Sequence, residues 1–212
     1  DPLMNPDLLV ESVRLFRSQG GVGTVNCNTN ASRTEAVERL AKAGLSSIRV
    51  SLNSARPEVY ERYYRPHGYS FDDVRRSIAV ARQNGLWVSL NLLFFPGVTD
   101  SEGELEALAR LVGENGVSMI QWRNLNIDPE WYLGLMRGID HGPIMGLSLF
   151  MKRLKKLCPW LRFGYFNPYV GEKAELTAPL PGQWQMPDLS VADAPLAGPA
   201  QEDGAGDAGE EA

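Results

Sequence analysis

The chain has 212 residues, 43% of them hydrophobic and 9% aromatic, with 21 Lys+Arg against 26 Asp+Glu. That is enough apolar matter for one ordinary core, which excludes disorder throughout. Seven of the acids (Asp188, Asp193, Glu202, Asp203, Asp207, Glu210, Glu211) lie after position 187, where there is no Lys or Arg, so the formal charge of −5 belongs to the tail and the body carries 21 basic and 19 acidic residues. A near-neutral body argues against a nucleic-acid-binding surface, and no run approaches the ~18 apolar residues of a membrane span.

In chain order, Asn5-Pro6 reads as a helix cap and first helical residue, with Leu9, Val13 and Phe16 as the apolar stripe and Gly20-Gly21 as the stop. Thr24 to Asn28 has strand character. Ser32-Arg33-Thr34-Glu35 has the form of a capping box, opening a helix faced by Val37 and Leu40 and stopped by Gly44. Ser47 to Asn53 reads as a strand, and Pro57 to Tyr64 as an extra helical turn in the connection that follows. Ser70 to Asp73 repeats the capping box before a helix faced by Val74, Ile78 and Ala81, and Trp87 to Phe94 is the third strand. Thr99 to Glu102 opens a helix faced by Leu105, Leu108 and Val112, followed by a strand from Ser118 to Leu125. Beyond it, 126–143 reads as loop, Ile144 to Leu157 as a basic amphipathic helix, Leu161 to Phe166 as a strand, and 188–212 as a disordered acidic tail. The Lys152, Arg153, Lys155 and Lys156 run reads as that helix's solvated face.

Strands alternating with helices imply right-handed crossovers and a parallel sheet, that is, an α/β fold. Buried parallel strands should be apolar on both faces, yet these alternate. Ile48, Val50 and Leu52 oppose Arg49, Ser51 and Asn53; Val88, Leu90 and Leu92 oppose Ser89 and Asn91; Ile120 and Trp122 oppose Gln121 and Arg123. A closed barrel fills its interior with branched apolar side chains, so a polar inner face indicates an open or incomplete barrel around a polar ligand; the alternative is a single-layer sheet with one solvated face. The strand ends where parallel folds bind ligands are Asn28-Thr29-Asn30, Ser51-Leu52-Asn53-Ser54, Phe95-Pro96-Gly97 and Asn124-Leu125-Asn126. Amides and hydroxyls without Lys or His suit hydrogen bonding to ribose, amino or carboxylate groups more than Schiff-base or imidazole-base chemistry.

Asp1-Pro2-Leu3 with Asn5-Pro6-Asp7-Leu8, then Asn28-Thr29-Asn30, Ser51-Leu52-Asn53 and the Pro96-Gly97 turn, in that order, resembles the radical S-adenosylmethionine (radical SAM) superfamily from Asp1 to about Asp128. The resemblance implies a partial parallel (β/α)6 TIM-like barrel lacking its N-terminal strand, with 1–128 as the core, 129–187 as an extension that could cover the substrate, and 188–212 as the tail. It implies a cytoplasmic enzyme in which a [4Fe-4S] cluster, fed by an external electron donor, cleaves SAM to a 5′-deoxyadenosyl radical that takes hydrogen from a peptide or small-molecule substrate, with no membrane or nucleic-acid partner. In the family three Cys of a CxxxCxxC loop hold the cluster. Here Cys27 and Cys158 stand 131 positions apart and no such loop exists, so the chain reads as a fragment beginning just after it, with the cluster ligands upstream and no metal ligand of its own. Carried over residue by residue, the resemblance puts Asp1 at the last acidic position of the motif that receives the SAM amino group. Ser51 becomes a SAM contact, Asn53 a helper at the ribose, Arg65 (or Arg62) the partner of the SAM carboxylate, Leu125 a wall beside adenine, and Asn30 a strand-end residue near SAM or substrate. Plainer readings exist: Ser51 ending a strand, Arg65 in a surface ion pair, Leu125 in the core. His67 and His141 read as surface polar residues, and Asp128 with Trp131-Tyr132 as either a substrate mouth or a hydrophobic plug. An iron-independent TIM-like enzyme and a non-catalytic ligand-binding module, both for a polar metabolite, are the other two function classes.

Overall fold

The structure, a computed structural model, describes residues 1–123, 127–165 and 176–193. Helix α1 (Pro6–Ser18) begins at the expected proline, but its buried residues are Val10 and Val13, while Phe16 is exposed, so the stripe is rotated from the one expected. Strand β1 spans Asn26–Thr29 and α2 Thr34–Ala43. The capping box expected at Ser32 is not made. Asn30 Oδ1 accepts the Ser32 N–H at 3.1 Å, Ala31 takes a left-handed φ of 56°, and the chain enters α2 at Arg33 with no side-chain cap. The stop is as expected, since Gly44 adopts φ 107°, a conformation that glycine enters without a Cβ clash.

Strand β2 (Ser47–Leu52) leads to α3 (Pro57–Tyr64), which has the expected bounds, and to α4 (Phe71–Gln83), whose Ser70/Asp73 capping box is complete. Strand β3 is Trp87–Leu93, and α5 (Glu102–Asn115) is capped by the Ser101 hydroxyl, which accepts the Glu104 N–H. Strand β4 is Met119–Arg123. The segment expected as loop contains α6 (Pro129–Met136), with Asp128 as its N-cap and Pro129 in its first turn. Helix α7 is Leu147–Leu157, three residues later than expected because Ile144 pairs with Ser101 as an isolated antiparallel bridge. Strand β5 is only Arg162–Phe163; Phe166, the expected end of that strand, lies outside the described residues.

The five strands form one parallel sheet in the order β1-β2-β3-β4-β5, an incomplete (β/α)6 partial barrel. Ile48, Val50, Leu52, Val88, Leu90, Leu92 and Ile120 point to one face and are essentially fully buried under Leu40 of α2, Val74 and Ile78 of α4, Leu105 and Leu108 of α5 and Leu154 of α7. Each such side chain contributes about 1.5–3 kcal/mol of burial. The other face carries Asn28, Arg49, Ser89, Met119 and Arg162 in one row of the register, and Ser51, Asn91 and Gln121 in the next.

The basic run on α7 is a solvated face only in part: Lys152 and Lys155 are exposed, but Arg153 and Lys156 are not. Arg153 is buried and ion-paired with Glu102 (3.5 Å) and Asp193 (3.1 Å), and Lys156 donates to the Ala192 carbonyl at 3.0 Å. These contacts dock a 3-10 turn, Leu189–Ala192, against α7 with Ala192 buried, so ordered chain continues past the composition change at Asp188; residues 194–212 lie outside the described residues. No helix among the described residues is long and apolar enough to cross a membrane.

Candidate functional site

At the carboxyl ends of β2, β3 and β4 the polar face opens into a cavity of about 440 Å³. Ser51 and Asn91 lie side by side in the register and both line it. Arg123, at the end of β4, reaches back across the sheet, and its Nε donates to Asn91 Oδ1 at 2.7 Å. Tyr63 and Tyr64 of α3 form one wall, while Leu93 and Ile127 supply apolar surface. Arg49 stands two residues before Ser51 on the same face, and its guanidinium is held below the usual arginine range first by burial and then by the charge of Arg123.

The tyrosine wall is built from mutually packed rings. Tyr64 stacks on Tyr60 (centroids 4.6 Å apart) and meets the Tyr63 ring edge-on at 5.0 Å; burial raises the Tyr64 phenol far above its usual range. Behind it α6 packs on α3: Tyr132 is fully buried and stacked on Phe95 at 4.6 Å. Burial pushes the Tyr132 phenol up to about 12. Arg62 donates to the carbonyls of Leu135 (2.9 Å) and Arg137 (2.7 Å), placing its charge at the negative end of α6. The turn after β2 is also anchored. Ser54 donates its hydroxyl and Ala55 its backbone N–H (2.7 Å) to the carboxylate of Glu104, which is wholly buried at the start of α5. Burial raises the Glu104 carboxyl to about 7 against the opposing pull of those two hydrogen bonds. Arg56, next in the chain, donates to the Asp140 carbonyl at 2.6 Å and contacts His141 Nδ1 at 3.2 Å.

Of the residues singled out from the sequence, Ser51 lines the cavity. Asn53 does not. It is fully buried, and its amide nitrogen donates to the Val59 carbonyl (3.1 Å) and the Tyr132 hydroxyl (3.3 Å), so its hydrogens bind α3 and α6 together. Arg65 is exposed and ends α3 with φ 46°, immediately after the two wall tyrosines. Arg62, its alternative, is committed to α6. Asn30 caps the Ser32 N–H with its side chain and donates its backbone N–H to Asp1 Oδ2 at 2.6 Å. The Asp1 carboxylate also accepts from Leu3 N and the Thr29 hydroxyl, each at 2.8 Å, and so clasps the chain start to the end of β1. Leu125 lies outside the described residues. His67 is exposed, and His141 is half-buried beside Arg56, with burial and that charge lowering its pKa. Tyr132 is a plug rather than a mouth residue. Asn91 and Arg123 complete the site; both belong to the period-2 polar set, which was the sequence signal for them.

A parallel sheet with a polar cavity at its carboxyl rim defines an α/β protein of the partial-barrel class. The chain belongs to the radical SAM superfamily, whose family model matches residues 1–111. It is 32% identical over 156 residues to GTP 3′,8-cyclase of Picosynechococcus sp., covering 72% of this chain and 41% of that protein. It is 24% identical over 143 residues to the FeMo cofactor biosynthesis protein NifB of Azotobacter vinelandii, covering 61% of this chain and 28% of that one. The chain thus spans less than half the length of these relatives. Among solved structures, methylornithine synthase (PylB) superposes with a TM-score of 0.51 at 14% identity, over 84% of this chain and 60% of that one, a likeness of fold.

Proposed function

We propose that these residues form the SAM- and substrate-binding wall of a radical SAM iron–sulfur enzyme. The observation that carries this reading is the polar cavity between β2, β3 and β4, in the fold of a family defined by SAM chemistry. Its volume of about 440 Å³ lies within the range of small-molecule and cofactor sites, roughly 300–1,000 Å³, and its hydroxyl, amide, guanidinium and aromatic groups suit a nucleoside with an amino-acid tail.

A [4Fe-4S] cluster does not fit the residues present. Among the described residues no three His, Cys, Asp or Glu are grouped to hold a metal, and Cys27 and Cys158 are both buried with thiol pKa values raised by that burial. Cluster ligation requires thiolates. We therefore place the cluster ligands outside these 212 residues; reductive cleavage of SAM to the 5′-deoxyadenosyl radical is the chemistry the cluster would supply there.

Within the chain, Ser51 offers a hydroxyl that both donates and accepts, suited to a ribose edge, beside the aromatic face of Tyr64. Arg65, the residue after the two wall tyrosines, would be the partner of the SAM carboxylate from the end of α3, and Asn30 would form the rim at β1, where the Asp1 carboxylate accepts its backbone N–H. Asn53, by joining α3 to α6, fixes the tyrosine wall. The relatives carry different names and activities, so the substrate, peptide or small molecule, is set by surfaces in which they differ.

Calorimetric titration of SAM into the cluster-loaded full-length protein tests this. The expected result is saturable binding that Ser51→Ala weakens about threefold to tenfold, the loss of one or two ordinary hydrogen bonds. Absence of SAM binding to the loaded wild type would overturn it, as would a full-length coding sequence with no CxxxCxxC motif.

A further inference from the structure

The inner face of the sheet has a one-sided charge. From Asn26 in β1 to Arg162 in β5, the described inward positions include three charged residues, Arg49, Arg123 and Arg162, and no Asp or Glu. Several arginines elsewhere sit beside acids, such as Arg39 with Asp7, Arg75 with Asp72 and Arg110 with Glu106, and others, such as Arg17 and Arg62, donate to backbone carbonyls. Arg123 has no ion pair among the described residues. Its Nε bond to Asn91 Oδ1 orients the guanidinium at the mouth of the cavity and does not use the two terminal nitrogens, which have no hydrogen-bond partner among the described residues. A guanidinium held this way presents two parallel N–H donors in the spacing of carboxylate or phosphate oxygens. Asp128, a short distance along the chain, is occupied as the cap of α6, accepting the Trp131 N–H at 2.9 Å.

We propose that Arg123, oriented by Asn91, is the receptor for an anionic group, carboxylate or phosphate, on the substrate. This rests on the reading of the cavity as the enzyme's ligand site and names the chemical class that the site selects. Ser51 and Tyr63 line the same cavity and carry hydroxyls that would offer further donors to the anion, while the Arg49 charge adds to the attracting field. Arg65, at the end of α3, remains the proposed partner of the SAM carboxylate, so two anions are held by two different arginines.

The test is isothermal titration of the full-length protein with pyrophosphate and with citrate, each with and without saturating SAM. At least one probe is expected to bind in the presence of SAM and to weaken about tenfold or more in Arg123→Gln. Arg123→Lys should keep part of the affinity, as a charge without the fork, and Arg110→Gln on the exposed side of α5 should change nothing. Circular dichroism establishes that each variant is folded. No binding of either probe, or equal binding by wild type and Arg123→Gln, overturns the proposal. If SAM displaces the probe and Arg123→Gln weakens SAM by the same factor, the receptor is for the cofactor's carboxylate and the substrate assignment is overturned. If SAM fails to bind while probe binding still depends on Arg123, the SAM reading falls and the anion receptor stands.

Discussion

The two faces of the sheet use the same five strands for opposite purposes. Toward the helices, Val50, Leu90 and Ile120 sit in a continuous apolar layer with no water contact. Toward the cavity, Ser51, Asn91 and Arg123 are only partly covered and hydrogen-bond one another or stand open. Since successive residues alternate between faces, folding energy and ligand chemistry are separated by a single position along each strand. The separation is not complete, since Trp87 and Met119 are buried on the inward side and Leu52, from the outward set, also lines the cavity, but the polar groups that vary what a superfamily binds sit mostly on one face.

The sharpest way to break this comparison is to substitute two adjacent residues of β3. Leu90→Ala empties a fully buried site and is expected to cost about 2–5 kcal/mol in denaturant unfolding. Asn91→Ala, one position on, removes a partner of Arg123 at the cavity edge and is expected to cost less than about 1 kcal/mol. Comparable losses from the two would show that the inner face is part of the core.

Glu104 comes next in size and tests the joint between the faces. The folded protein keeps its proton up to about pH 7, whereas the unfolded chain releases it near 4.5, so unfolding sheds a proton between those values. Stability should therefore decline as pH rises from about 4.5 to about 7, by about 3 kcal/mol for a group this buried. Glu104→Gln, which keeps the shape without the titration, should flatten that slope; an unchanged slope would mean that the carboxyl ionises freely in the fold. The smallest expected effect is the cost of Asn91→Ala, which should surface mainly as weaker binding of anions at Arg123.

Much of this was legible because local rules and tertiary structure agreed. Pro57 at the first turn of a short amphipathic segment gave α3, and Ser70 with Asp73 gave the start of α4. The alternation in β2 and β3 gave the polar face, and with it Ser51. The failures have particular causes. Helix α6 reads Trp-Tyr-Leu-Gly-Leu-Met, apolar all round with no stripe to reveal it, although Asp128-Pro129 carried a usable start signal. At Ser32 the capping pattern was present, but Asn30 took its N–H first. Arg153 looked solvated because its partners, Glu102 and Asp193, are about 50 and 40 residues away in sequence, and no local pattern reports such a pair. The bond of Asn53 to Tyr132 spans 79 residues, so no local pattern reports that its amide joins α3 to α6. The same limit hid the burial of Glu104, which depends on where the turn after β2 comes to rest.

The strand order has a consequence for how the molecule is made. Each strand from β2 to β5 pairs with the one synthesised just before it, and among the described residues no strand inserts between two that are already joined. On a ribosome the sheet can therefore grow from one end, each new βα unit docking on a finished neighbour, so that the order of translation and the order of assembly coincide. Parallel pairing across long crossovers is ordinarily slow. Here no pairing has to wait for a strand still to be made, and the growing sheet exposes only one new edge at a time.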